Sequence, residues 1–257
     1  METLDRIEVA FVKGTRASAP ATWQVDHAGM LHDRRFVVVD RERRGLSANR
    51  SPALSRVETD FADERLVVRF PNAEPVEAPV IAESDCEFLD YASSPRAGTV
   101  VGGPFAAAFS RYLRREVELV DAQAWGTRAV DSEPVTLVSN QSVSQLGERL
   151  GLPALDPRRF RANLYLDLDH PHQEDEWIGS RVAVGALELE ILGPVPRCAV
   201  VTRDPLTGDR DADVLREIRR YRGIVPTHDG EKGLPFAVYA RVVTGGRVTV
   251  GDELRTL

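Results

Sequence analysis

The sequence predicts an α+β chain that is mainly β, with barrel-like parts. Two observations carry that expectation: short β-branched runs recur between turn residues, and only three stretches space their apolar residues as helices do. With 257 residues and 42% hydrophobic content, the chain can bury a substantial core.

Ile7, Val9 and Phe11 alternate as on a half-buried strand, and Lys13-Gly14 follows. Arg34 to Asp40 (RRFVVVD) is a second strand, and Arg65 to Phe70 (RLVVRF) a third after the turn-like Ala62-Asp63-Glu64. Ser93 to Pro104 (SSPRAGTVVGGP) reads as a linker, dividing the chain into domains 1–96 and 97–257. Pro104 suits the first position of a helix carrying Phe105, Phe109 and Tyr112. Val135 to Val138 reads as a strand, and Ser139 can cap a second helix, with Val143, Leu146 and Leu150 on one face and Gly151 as its stop. Asp167 to Trp177, with His170 and His172, reads as an exposed loop rather than a metal site. Arg181 to Val184 and Ala186 to Leu192 flank Gly185 as a hairpin. Asp211 or Asp213 can open a third helix through Val214, Leu215, Ile218 and Tyr221. Phe236 to Val243 and Arg247 to Val250 flank Thr244-Gly245-Gly246 as a second hairpin.

A formal net charge of −7 excludes a general nucleic-acid binder but leaves room for a local basic pocket. The N-terminus has neither a basic nor an apolar region, so no secretory signal is expected, and no run approaches the ~20 apolar residues of a membrane span. Cys86 and Cys198 are the only cysteines, which points to reduced thiols and a cytoplasmic setting. Two thiols cannot build an iron–sulfur cluster, so any redox partner must be a separate chain. The phosphate loops G-x-x-x-x-G-K-[ST] and G-x-G-x-x-G are absent, as is a G-x-S-x-G elbow.

In Gly193-Pro194-Val195-Pro196-Arg197-Cys198, two prolines stiffen the approach to a cysteine, with a further run expected over Ala199 to Thr202. Arg197 can stabilise the thiolate, the form that acts as nucleophile or metal ligand, or it can face away along a strand. A buried structural thiol is the alternative. Arg161 and Asn163 would share one face of a strand and suit a phosphate or a heterocycle edge, whereas Arg158 and Arg159 read as surface ion pairs. Lys13 precedes Gly14, where the backbone could approach an anion, and Arg34 leads into its strand. Asp131-Ser132-Glu133-Pro134 could face a pocket or form a plain turn.

Taken in order, these segments resemble the MOSC family, in particular the branch containing the mitochondrial amidoxime-reducing component and its bacterial relatives. Phe11-Val12-Lys13-Gly14 is similar to that family's Tyr-Pro-Val-Lys-Ser opening, and His32-Asp33-Arg34-Arg35-Phe36 to its Asp-Arg-aromatic strand. Phe160-Arg161-Ala162-Asn163 is similar to its Phe-Arg-Pro-Asn. Pro196-Arg197-Cys198 with Thr202-Arg203-Asp204-Pro205-Leu206-Thr207-Gly208 is similar to its Arg-Cys and Thr-x-Asp-Pro-x-Thr-Gly run, and the ending from Tyr239 to Gly251-Asp252 matches too. The resemblance implies a β-barrel-like N-terminal domain against a MOSC domain, with a molybdenum cofactor (molybdopterin) between them. It implies cofactor contacts from Lys13, Arg34, Ser132, Arg161, Asn163 and Arg197, Cys198 as the molybdenum ligand, and Asp131 close to the metal. It further implies an oxidoreductase that removes oxygen from an N-hydroxylated or N-oxide small molecule. A cofactor carrier and a sulfur-transfer protein using a Cys198 persulfide are the alternatives. Gly14 departs from the family's serine, and Glu133 stands where relatives have a phosphate-facing serine.

Overall fold

The computed structural model describes residues 2–90, 93–122 and 132–257. The first half of the chain contains β1 (Thr3–Ile7), β2 (Thr22–Asp26), β3 (Gly29–Met30), β4 (Phe36–Asp40), β5 (Glu58–Ala62), β6 (Arg65–Arg69), β7 (Val76–Pro79), β8 (Ala82–Leu89) and β9 (Pro95–Val101). Helix α1 (Phe105–Leu113) and β10 (Val117–Asp121) come next, and then β11 (Val135–Ser139) runs into α2 (Asn140–Arg149). The rest comprises β12 (Leu164–Asp167), β13 (Arg181–Val184), β14 (Leu187–Pro196), α3 (Val214–Arg222), β15 (Val225–Pro226), β16 (Lys232–Gly233), β17 (Pro235–Thr244), β18 (Gly246–Thr249) and β19 (Leu254–Thr256).

Seven strands form one sheet in the order β1-β12-β11-β17-β14-β13-β19. An antiparallel bridge between Thr3 and Glu253 brings its two edges together, with Leu4 N–H donating to Asp252 O at 2.9 Å. The result is a nearly closed β-barrel, filled by alternating residues such as Leu137, Leu164, Leu187, Leu189 and Ile191, all fully buried. Strand β1 therefore completes a barrel built otherwise from the second half of the chain.

Smaller β-rich sheets lie beside it: β4-β10-β9-β8, the meander β5-β6-β7, and β18-β2-β3. The Val37-Val38-Val39 run is buried on both faces, which is why it lacks polar alternation. Val37 and Val39 meet Phe88 and Val120, while Phe36 and Val38 belong to the main core.

The Ser139 cap follows the sequence reading, its hydroxyl accepting from Ser142 N–H at 3.0 Å at the start of α2. Asp213 precedes α3 without a side-chain cap bond, and Pro104 stands one place before α1 rather than at its first position. Four local expectations are corrected. Ser93 to Pro104 is no coil, because Pro95–Val101 is β9, paired with β8 and β10; the expected 96/97 boundary falls inside it. β17 and β18 do not pair as a hairpin: β18 joins β2, and Gly245 passes so close to that strand that a Cβ would sit 2.8 Å from Val25 O. Ala199–Thr202 is a 3-10 turn rather than a strand. Within the expected exposed loop, Gln173–Trp177 forms a 3-10 turn that buries Glu174 and Trp177.

Candidate functional site

A cleft with a cavity volume of about 330 Å³ opens where the barrel meets the N-terminal sheets. Its walls come from segments far apart in sequence. They include Lys13-Gly14, Arg34, Ser47 to Asn49, Ser132-Glu133, Arg159 to Arg161, Pro196 to Cys198, and Asp229 with Glu231 from the β15–β16 connection.

Cys198 enters because β14 ends at Pro196, paired with Pro235, and Arg197 N–H then donates to Leu234 O at 2.9 Å. Held by that pairing, Cys198 takes extended angles and caps the Ala199–Thr202 turn, leaving a half-buried free thiol on the cleft wall. Arg197 lies against the Phe160 ring, its carbon 5.6 Å from the centroid. Its Nε donates to Phe236 O at 2.6 Å and its Nη1 to Phe160 O at 2.8 Å. Its Nη2 is buried with no hydrogen-bond partner among the described residues. Burial lowers the Arg197 pKa to about 10, against the opposing pull of Tyr239 and Cys198. A buried guanidinium with its Nη2 unspent suits an anionic ligand.

Arg161 and Asn163 do not share a strand face. Residues Pro157–Phe160 form a 3-10 turn, Arg161 follows at φ 51°, and β12 begins only at Leu164. The bend separates their roles: Arg161 lines the cleft, with Nη2 donating to Thr15 O at 3.0 Å, whereas Asn163 is 2% exposed beneath it. The Asn163 amide accepts from Thr136 N–H and hydroxyl, both at 3.2 Å, and donates to Asp33 at 3.1 Å. Burial and the neighbouring Arg34 lower the Arg161 pKa. Arg34 stands beside it, donating to Arg161 O at 3.0 Å and ion-paired to Asp33.

Lys13 lines the cleft, its N–H donating to Phe36 O at 2.8 Å. Gly14 has φ +89°, and an added Cβ would stand 3.0 Å from Ala48 N, which accounts for glycine there. Ser132 and Glu133 are on the wall, and Asp131 lies outside the described residues. Glu133 Oε1 lies 3.3 Å from His228 Nε2, with Ser132 Oγ 3.5 Å from the same nitrogen.

Three contributors escaped the sequence reading. Arg159, expected as a surface ion pair, is 4% exposed; it does pair with Asp211 at 3.0 Å but lines the cleft. His228 follows no motif, and Asp33 is hidden behind the arginine beside it. Only Asp33 carried a signal, its place between His32 and Arg34 in the motif.

Among the described residues, no group of three or more His, Cys, Asp or Glu side chains could hold a metal. The site thus combines five cations, Lys13, Arg34, Arg159, Arg161 and Arg197, with one accessible thiol. Fold and site together define a class: a mainly β protein whose cleft gathers cations beside a cysteine.

The chain belongs to the MOSC family. The MOSC domain profile matches residues 125–255, and that of the MOSC N-terminal beta barrel domain matches residues 1–116. The chain is 27% identical over 232 residues to the molybdenum cofactor sulfurase of Anopheles gambiae, covering 78% of this chain and 30% of that protein. It is 25% identical over 254 residues to the mitochondrial amidoxime reducing component 2 of Rattus norvegicus, covering 88% of this chain and 73% of that protein. It therefore spans under a third of the length of the sulfurases it matches. The solved YUAD protein from Bacillus subtilis aligns with 99% of this chain and 94% of its own at a TM-score of 0.47 and 12% identity.

Proposed function

We propose that the cleft binds a pterin-type molybdenum cofactor, with Cys198 as thiolate ligand, and that the chain is an oxidoreductase acting on N-hydroxylated or N-oxide substrates. The observation that carries this reading is the unpartnered Arg197 Nη2 beside the Cys198 thiol, in a cleft that gathers four further cations. The donor set fits such a group: a soft thiolate suits a sulfur-rich redox metal, and arginine forks suit its phosphate. When bound, the cofactor supplies two-electron exchange of an oxygen atom. Lys13, Arg34, Arg161 and Arg197 hold its anionic portion, with Ser132 as a hydroxyl donor. Asn163 acts from beneath, through Thr136 and Asp33. Asp131 would serve as the proton relay for that chemistry. Electrons come from a separate donor protein, because Cys86 and Cys198 cannot build an iron–sulfur cluster. Two free thiols, Cys86 and Cys198, support a cytoplasmic setting; among the described residues, no helix is long and apolar enough to cross a membrane.

The test is to purify the protein from cells that make the cofactor, measure molybdenum and pterin, and assay amidoxime reduction with an artificial donor. Stoichiometric metal and turnover are expected, and Cys198→Ala should remove both. Metal without turnover rejects the reductase. Sulfur transfer is the second reading, favoured by the sulfurases among the relatives. A persulfide on Cys198 in metal-free protein would select it.

A further inference from the structure

We propose that Asp33 is the positioning residue of the cleft: its buried carboxylate fixes where the Arg34 guanidinium stands and thereby aligns the cation wall with an anionic ligand. This rests on the reading of the cleft as an anion site.

Asp33 is 1% exposed, so its charge has no water and must be met by the protein. Three donors from separate segments converge on it. Ala10 N–H donates to Oδ1 at 2.8 Å, Asn163 Nδ2 to Oδ2 at 3.1 Å, and Arg34 Nη1 to Oδ2 as well. The backbone holds the same arrangement, since Arg34 N–H donates to Ala10 O at 2.7 Å. Arg34 adopts φ 50°, a left-handed turn that a branched or bulky residue rarely takes. That turn accompanies the folding of its side chain back onto the preceding carboxylate. With Nη1 fixed there, Nη2 reaches Arg161 O at 3.0 Å. Burial lowers the Arg161 pKa, and repulsion from the neighbouring Arg34 lowers it further. Asp33, ion-paired to Arg34, offsets that repulsion together with Glu8. Through Asn163 it also touches Thr136, which lines the cleft.

Positioning and plain electrostatics make opposite predictions for Asp33→Asn. If the carboxylate only adds negative charge beside an anion site, neutralising it leaves the cleft more positive and anions bind more tightly. If it positions Arg34, the isosteric amide turns a donor toward Arg34 and Asn163, the guanidinium leaves its place, and anions bind less tightly.

The experiment is calorimetric titration of inorganic pyrophosphate into metal-free, full-length protein, comparing wild type, D33N, R34Q and the double variant. D33N is expected to weaken binding about tenfold, the scale of one charge-assisted hydrogen bond. The double variant should bind no more weakly than R34Q alone, because Asp33 acts through Arg34. Tighter or unchanged binding by D33N, or losses that add, overturns the proposal. Should D33N not fold, Asp33→Glu keeps the charge but displaces it by one methylene. It too should weaken binding, and wild-type affinity in that variant would overturn the proposal. Failure of wild type to bind pyrophosphate would instead sink the anion reading of the cleft.

Discussion

At the scale of the residue, the cleft mixes signs, and the pairing of Glu133 explains how. A carboxylate that is 23% exposed beside five cations would repel a phosphate, but His228 sits 3.3 Å away and can offset its charge when protonated. His228→Gln should weaken pyrophosphate binding severalfold, whereas Glu133→Gln should tighten it; equal titration curves for both variants would contradict this. Residue types that carry charge or a thiol next to a turn, such as Lys13, Arg34, Arg197 and Cys198, were legible because their chemistry is rare and local. His228 was not, since only the fold brings its ring to Glu133 and Ser132, edge-on to Tyr239. Asn163 was expected to touch the cofactor, but the bend at Arg161 turns it inward, beneath the cleft rather than onto its wall.

At the scale of the element, helix α2 shows how a buried acid can serve a fold. Its N-terminus presents Ser139 N–H to Glu174 Oε1 at 3.2 Å, and the Ser142 hydroxyl donates to the same carboxylate at 3.0 Å. Favourable as the helix end is for a negative charge, burial outweighs it and raises the Glu174 pKa. A folded pKa above the unfolded one stabilises fully below the unfolded value, near 4.5, and that contribution is lost as pH rises through the folded value. Glu174→Gln cannot ionise, so its melting temperature should gain on wild type as pH rises from about 4.5 towards neutrality. A pH-independent difference would contradict the assignment. Ser139→Ala removes the cap and should cost about 1 kcal/mol in chemical denaturation. The Ser139 cap was readable from residue type and spacing. Glu174 was not, because an acid within a polar stretch looks solvated until a 3-10 turn carries it inward.

For the whole molecule, the class of fold was visible in the strand periodicity, while the pairing was not. Thr244-Gly245-Gly246 has the composition of a hairpin turn, yet Gly245 serves close passage against β2 and Gly246 against Ala186. The two halves meet elsewhere through Gly208, at φ +79°, where an added Cβ would stand 2.6 Å from Pro52 O. Gly208→Ala should therefore strain this junction and destabilise the protein by about 1–3 kcal/mol. A thermal midpoint equal to wild type would show that the loop moves aside freely.

The Thr3–Glu253 bridge has a temporal consequence. A nascent chain on the ribosome cannot join its first strand to residues not yet made, and contacts so distant in sequence form late. Tyr239 and the Glu231 segment, which also wall the cleft, emerge long after Lys13 and Arg34. Whatever occupies that space is therefore enclosed only once Tyr239 has been made, in a barrel that is closing around it.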